Sequence, residues 1–354
     1  MGAFTKFLFK DISFSLSALF LIFFSVLILS SLDVQLFPLY FVYIVLAIGS
    51  FWFFSQIDFD IVSLFSKHFY AISIFLLLLT LIIGSVTRGT IRWIPIGPFS
   101  LQPAEIVRPM LLVFFANYLT KGNIDLKKAL KSFLLLAVPV VLILVQPSLG
   151  VSVLTVVGFL GVILAGNFDK KKIIIGLIGL VLTLPLFWNF MAPYQKQRIL
   201  TFLDPAKDPL GAGYNSIQST IAAGSGRIFG TGLGKGIQTQ LAYLPEKQTD
   251  FIFAATAEEL GFFGGAFVLA ASLIILFRLT HFMENATSPA GRAYISGFLL
   301  IYLVQVFVHA GMNMGMLPVT GIPFPLVSAG GSSLLATMTG LGIALGAYKK
   351  QANF

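Results

Sequence analysis

Ionisable side chains gather in two stretches of this sequence that otherwise read as apolar. In "LPEKQTDFIFAATAEELGFFGG", residues 244–265, Glu246, Asp250, Glu258 and Glu259 supply four of the chain's 14 acidic residues. From Phe251 onward the same stretch has the composition of a membrane helix. Asp250 falls at its start, where the helix dipole favours an anion. Capping is therefore one reading of Asp250, with Thr249 as the alternative cap. Glu258 and Glu259 would lie two turns further in, roughly 12–13 Å along the axis. Carboxylates at that depth are costly in lipid unless they face a polar cavity or basic partners.

The second stretch is "SVTRGTIRWIPIGPFSLQPAEIVRP", residues 85–109. Arg88, Arg92 and Trp93 read as an interfacial group, a common place for Trp anchors. Glu105 and Arg108 follow three residues apart, on one face of a helix. They form either a local ion pair that neutralises itself or part of a site. The basic partners available to the acids are Arg88, Arg92, Arg108, Lys196 and Arg198, all expected on one side of the membrane. A cavity both acidic and basic, open at the level of lipid headgroups, suits an anionic amphiphile.

The elements that must position these groups are membrane helices. Of 354 residues, 57% are hydrophobic and only 10% charged, with 37 Phe, against about 25% charged in soluble domains. Apolar runs of 18 or more residues recur, and ten spans are expected near 12–31, 36–54, 69–87, 103–120, 132–147, 149–166, 173–191, 251–277, 293–314 and 329–347. The fold class is thus an all-α polytopic membrane protein, read as one unit over 1–354. The first run lacks a cleavage site and is read as a retained helix.

Charge sets the orientation. With both termini in the cytoplasm, 14 of the 23 basic residues fall in cytoplasmic segments, as the positive-inside rule asks. The net charge of +9 is accounted for in this way, without nucleic acid. There is no cysteine, which excludes disulfides, thiolate metal sites and thiol nucleophiles. One connection stands apart: 192–249, between the seventh and eighth spans, is nearly 60 residues long and extracytoplasmic. Loops of that length are functional or disordered, and this one carries an amphipathic helix and a Gly-rich run. No internal repeat of the kind found in many transporters is visible.

Three further features are ambiguous on sequence alone. "GTGLGKG", residues 230–236, lacks the Ser or Thr a Walker loop places after Lys235; it is either a tight turn or a backbone nest for phosphate. "MLPVTGIPFPLVSAGGSS", residues 316–333, is broken by three prolines and serves as a hinge or a site wall, since irregular backbone at membrane depth must be buried or line a cavity. His68 and His281 read as interfacial residues, and His309 as a packed or hydrogen-bonded helix residue.

Taken in order, "RGTIRWIPIGPFSLQPAE", "QPSLG" (146–150), "YQKQRILTFLDP", "IAAGSGRIFGTGLGKG", "LPEKQTDFIFAATAEELG" and "TGIPFPLVSAGGSS" resemble the SEDS family of shape, elongation, division and sporulation proteins, which includes RodA and FtsW. The likeness covers nearly the whole chain, and the short termini lean toward RodA. The resemblance implies a peptidoglycan glycosyltransferase that polymerises lipid II at the outer face of the bacterial cytoplasmic membrane, with a class B penicillin-binding protein as transpeptidase partner. It places the family's essential aspartate on Asp250, and its conserved acid and base on Glu105 and Arg108. Departures are Arg108 for the usual Lys, Ala104 for Ser, Ser148 for Asp, Arg227 for Gly and Ala329 for Tyr.

That chemistry assigns roles as expectations. Asp250 takes the proton from the attacking sugar hydroxyl. Arg88, Arg92 and Arg108, with Glu105, Lys196 and Arg198, bind the lipid diphosphate. Gln102, Glu258, Glu259, Ser332 and Ser333 line the cavity. A divalent cation, Mg or Mn, held by carboxylates is expected alongside, with no organic cofactor. The rival classes are a lipid II flippase or ion-coupled carrier, and a scaffold that activates a penicillin-binding protein.

Overall fold

The computed structural model describes residues 11–87, 90–122, 125–166, 188–189, 191–209, 211 and 213–348. Thirteen α-helices occur among them. The N-terminal group is α1 (Ile12–Leu32), α2 (Leu39–Gln56), α3 (Phe59–Leu64) and α4 (Ser66–Ile83). α5 (Pro103–Thr120), α6 (Leu126–Val145) and α7 (Leu149–Ala165) follow, then three in the expected outer loop: α8 (Pro193–Leu203), α9 (Tyr214–Ser225) and α10 (Ile237–Gln240). The last are α11 (Ile252–Glu284), α12 (Pro289–Asn313) and α13 (Gly331–Gly346). Six of them, α1, α2, α4, α6, α11 and α12, are long and apolar enough to cross a membrane, and α7 and α13 are shorter apolar helices.

Nine of the ten expected spans fall on helices. The seventh, 173–191, lies outside the described residues apart from three near its end. Local chemistry explains several boundaries. Pro103 sits at N1 of α5, where its missing N–H costs nothing and its φ is already helical. Asp125 accepts from Lys128 N at 2.8 Å and starts α6, and Ser288 accepts from Gly291 N at 3.2 Å to start α12.

The all-α expectation needs one correction. The third span was read through residue 87, but α4 stops at Ile83 and the chain continues as a three-stranded antiparallel sheet. Its strands are β1 (Ser85–Thr87), β2 (Thr90–Ile96) and β3 (Phe99–Leu101). Ile96 pairs with Phe99 across a two-residue turn whose first residue, Gly97, has φ 60°, as a type II′ hairpin requires. β-branched and aromatic residues in "TIRWIPI" favour this pleated form. The sheet carries Arg92 and Trp93 and delivers the chain to the start of α5.

Helices pack as neighbours α2 with α13, α7 with α12, α11 with α12, α4 with α5, and α1 with α11. Lipid tails provide no hydrophobic drive between helices, so close backbone approach through small residues substitutes for it. At the α7–α12 contact a Cβ on Gly161 would stand 2.7 Å from Gly297 Cα, and Ser296 Oγ donates to Gly161 O at 2.8 Å. At one end of α1 and α11, Arg278 pairs with Asp11, its Nε 3.1 Å from Oδ1, and lies over the Phe282 ring.

Candidate functional site

α11 is broken near its start. Gly261 has φ 68° and ψ −161°, which frees carbonyls and amides on either side of the break. The Gly-rich segment fills these needs with its own backbone. Thr231 N donates to Glu258 O at 2.9 Å and Gly232 N to Glu259 O at 3.0 Å. In return Phe262 N donates to Arg227 O at 2.8 Å. A Cβ on Gly261 would stand 2.3 Å from Gly230 N, so only glycine permits the docking. The Gly-rich run is therefore a turn docked against a helix break; its amides at Thr231 and Gly232 are already bonded.

Glu258 and Glu259 belong to the same joint. Glu258 accepts from Gln238 N at 2.7 Å and Thr239 N at 3.0 Å. Glu259 accepts from Ser31 Oγ at 2.5 Å, Gln240 Nε2 at 3.1 Å and Thr239 Oγ1 at 3.4 Å. Both are buried, and neither lines the large cavity described next. Contrary to the cavity-lining expectation, they tie the outer loop to α11 and α1, because loop donors some 20 residues earlier occupy their oxygens.

That cavity has a volume of about 580 Å³. Its walls come from six places, among them β2 (Arg92, Trp93), the start of α5 (Gln102, Glu105), the turn into α7 (147–151), and the approach to α11 (Glu246, Thr249, Asp250). Arg198 of α8 and the segment before α13 (Thr320, Gly321, Pro323, Gly330, with Ser333) complete it. Elements far apart in sequence thus bring three carboxylates and two guanidinium groups to one space. The 316–333 segment forms part of the wall, which resolves its hinge-or-wall ambiguity.

Asp250 does not cap α11. The N-cap position is Phe251, with no side-chain cap bond, and the Asp250 carboxylate faces the cavity. A Cβ on Gly321 would stand 3.5 Å from Asp250 Oδ2 and 3.9 Å from Arg198 Nη1, so these two groups converge over one glycine. Arg198 Nη1 also donates to Val319 O at 3.1 Å. Arg92 Nε donates to Gln146 O at 3.0 Å and its Nη2 to Pro147 O, fixing the "QPSLG" turn at the cavity edge. Pro147 has φ 22°, a conformation such a clamp must hold against its intrinsic preference.

Glu105 and Arg108 form a buried ion pair. Glu105 reaches the cavity, whereas Arg108 lies behind it and does not line it. Ser332 likewise works from behind, accepting from Gln102 N at 2.8 Å, while Gln102 and Ser333 are in the wall. Lys196 stands apart from the cavity, its Nζ 5.9 Å from the Trp188 ring centre. Arg88 lies outside the described residues. Among the described residues no group of three or more His, Asp or Glu side chains is close enough to cage a metal ion.

Several wall residues carry other readings in the sequence: Trp93 as an interfacial anchor, Thr249 as an alternative cap, Ser148 as a departure from the family pattern, and Thr320, Gly321 and Gly330 as parts of a segment that is hinge or wall. Glu246, one of the four acids that mark the 244–265 stretch, joins Asp250 in the wall without having been assigned a role there. The chain is similar to known proteins along most of its length. The sequence profile of the family described as FTSW_RODA_SPOVE, Cell cycle protein, matches residues 8–353. Peptidoglycan glycosyltransferase MrdB of Escherichia coli (strain K12) is 38% identical over 283 residues, 79% of this chain and 76% of that protein. Probable peptidoglycan glycosyltransferase FtsW of Wigglesworthia glossinidia brevipalpis is also 38% identical, over 291 residues, 79% of this chain and 75% of that one. A chain from a peptidoglycan synthase complex, solved for its structural coordination of polymerization and crosslinking, superposes with a TM-score of 0.80 at 31% identity, covering 95% of this chain and 96% of its own. With a match that spans every element lining the cavity, the chain belongs to the FTSW_RODA_SPOVE family of multi-pass membrane proteins.

Proposed function

We propose that this protein is a peptidoglycan glycosyltransferase that polymerises lipid II into glycan strands at the outer face of the bacterial cytoplasmic membrane, for elongation or division. The observation that carries the reading is the cavity where Asp250 and Arg198 converge beside Glu105, Glu246 and Arg92. The names of its relatives, peptidoglycan glycosyltransferases, support it. The substrate has its reacting part at headgroup level and its tail in lipid, which accounts for a charged cavity ringed by apolar helices.

In this mechanism Asp250 accepts the proton of the acceptor sugar's 4-hydroxyl. The oxygen attacks the donor's anomeric carbon, and the bond from that carbon to the diphosphate oxygen breaks, leaving undecaprenyl diphosphate with the electron pair. Arg198 and Arg92 stabilise the developing negative charge. Arg108 acts through Glu105, holding that carboxylate in the wall. A Mg or Mn ion, if bound, would be held by one or two of the cavity carboxylates together with the substrate diphosphate, where it would add positive charge; no step here passes through it. Lys196 over Trp188 serves as an interfacial anchor. Ten spans with cytoplasmic termini, one unit over 1–354 and an extracytoplasmic loop at 192–250 fit the charge distribution. A class B penicillin-binding protein is the proposed partner.

The test is glycan polymerisation from purified lipid II by wild type and Asp250→Ala, each alone and with a co-expressed transpeptidase partner. Polymer from wild type and none from a folded variant is expected. Polymer from both would remove Asp250 from the chemistry, and silence from both with the partner present would overturn the enzyme reading in favour of transport.

A further inference from the structure

α12 ends in Asn313, a fully buried amide whose hydrogen-bonding groups are occupied in a specific way. Its Oδ1 accepts from Ala254 N at 2.9 Å. Ala254 is the third residue of α11, one of the first four N–H donors that a helix cannot satisfy internally. Phe251 at the N-cap has no side-chain oxygen to offer, so Asn313 caps α11 from a different helix. Its Nδ2 donates to His309 O at 2.8 Å and to Asp250 O at 3.0 Å. Partners on both ends fix which end is oxygen. A cap alone needs only Oδ1; the second donation reaches the residue that faces the cavity.

The two neighbouring carbonyls are held as well. Ser328 Oγ donates to Thr249 O at 2.8 Å, and Ala329 N donates to Gln248 O at 2.9 Å. Ser328 Oγ in turn accepts from Phe324 N at 2.8 Å, which ties it into the wall segment. Three successive carbonyls, 248 to 250, are therefore pinned by the end of α12 and by the segment before α13. From these contacts we infer that Asn313, with Ser328 in support, is a positioning residue: it fixes the backbone at Asp250 and so the place of the carboxylate in the cavity wall. This inference rests on the reading of Asp250 as the proton acceptor.

The experiment compares full-length wild type, Asn313→Ala, Asn313→Asp, Ser328→Ala, Ser328→Thr and Asp250→Ala in lipid II polymerisation, with kcat and KM separated and thermal unfolding followed in parallel. Asn313→Asp keeps an oxygen for Ala254 N but loses the donation to Asp250 O. Displacement of a reacting group by an ångström costs up to about a hundredfold in rate. Both Asn313 variants are expected to lose about tenfold to a hundredfold in kcat, with KM within about twofold of wild type. Ser328→Ala should fall less, and Ser328→Thr, which keeps the hydroxyl, should recover most of the rate. Wild-type kcat in folded Asn313 variants would overturn the inference, as would a loss explained wholly by the folded fraction. If the Asn313 variants do not fold, equal rates for Ser328→Ala and wild type would overturn it. An active Asp250→Ala would instead sink the reading beneath it, and the two failures are told apart by which variant keeps its rate.

Discussion

Asp250 and the pair Glu258–Glu259 sit eight and nine residues apart in one segment, yet the fold uses them in opposite ways. The Glu258 and Glu259 oxygens face five donors of the protein itself, two of them backbone amides. The main-chain carbonyl of Asp250 accepts from Asn313, and its carboxylate faces a cavity of about 580 Å³. Buried polar groups must be bonded, and Glu258 and Glu259 meet that rule within the protein. Asp250 differs in place: its carboxylate stands in a cavity wall beside Arg198, where a bound substrate can reach it. Burial depth, which made the glutamates look more functional in the sequence, marked the structural pair.

The sharpest way to break this comparison is to alter Asp250. Asp250→Asn keeps shape and removes the base, so polymerisation should fall by about 10²–10⁴-fold with an unfolding midpoint close to wild type. An unfolding midpoint lowered as far as that of a Glu258 variant would place Asp250 with the structural carboxylates. Next in size is Arg108. Removing one member of a buried ion pair costs about 3–5 kcal/mol, so Arg108→Ala should lose nearly all activity and much stability. Arg108→Lys, which keeps the charge but not the planar fork, should retain part of the rate. Equal, near-normal rates for both would detach the pair from the site.

Gly261→Ala tests the joint between the two regions. The added Cβ meets Gly230 N at 2.3 Å and the backbone has φ 68°, so the docked loop must move. With ψ −161° this backbone region is essentially confined to glycine and costs any other residue about 1–3 kcal/mol, and displaced hydrogen bonds add to it. Limited proteolysis within 226–240 should quicken, with activity falling less than in Asp250→Asn.

These contrasts also show what the sequence could carry. α5 was legible because Pro103 marks a helix start by itself, and Asp250 and Glu105 because a charge beside an apolar run is conspicuous. The roles of Glu258 and Glu259 were not legible, because their donors at Gln238, Thr239 and Gln240 lie in a loop whose path depends on Gly261 adopting positive φ. Of the sheet at 85–101, only β1 falls inside the span expected over 69–87; β2 and β3 lie in the connection read as interfacial, where the Gly97 turn is the one local mark of a hairpin. Asn313 gave no signal at all: a polar residue near a helix end is ordinary, and its meaning appears only when α11 is placed beside it.

The smallest effect divides the two glutamates from each other. Glu258 receives two backbone N–H groups, which point one way and cannot reverse. In Glu258→Gln one of them faces an NH₂ group, leaving a buried amide unsatisfied at a cost of about 1–3 kcal/mol. Glu259 receives side-chain groups from Ser31, Thr239 and Gln240. The two hydroxyls can rotate to accept from a new NH₂, so Glu259→Gln should cost less, about 1 kcal/mol or below. Thermal unfolding of the two variants should rank Glu258→Gln as the less stable, with both retaining lipid II polymerisation per folded molecule. The reverse ranking would mean that the contact between α1 and the outer loop, rather than the anchoring of α10, holds this face of the protein together.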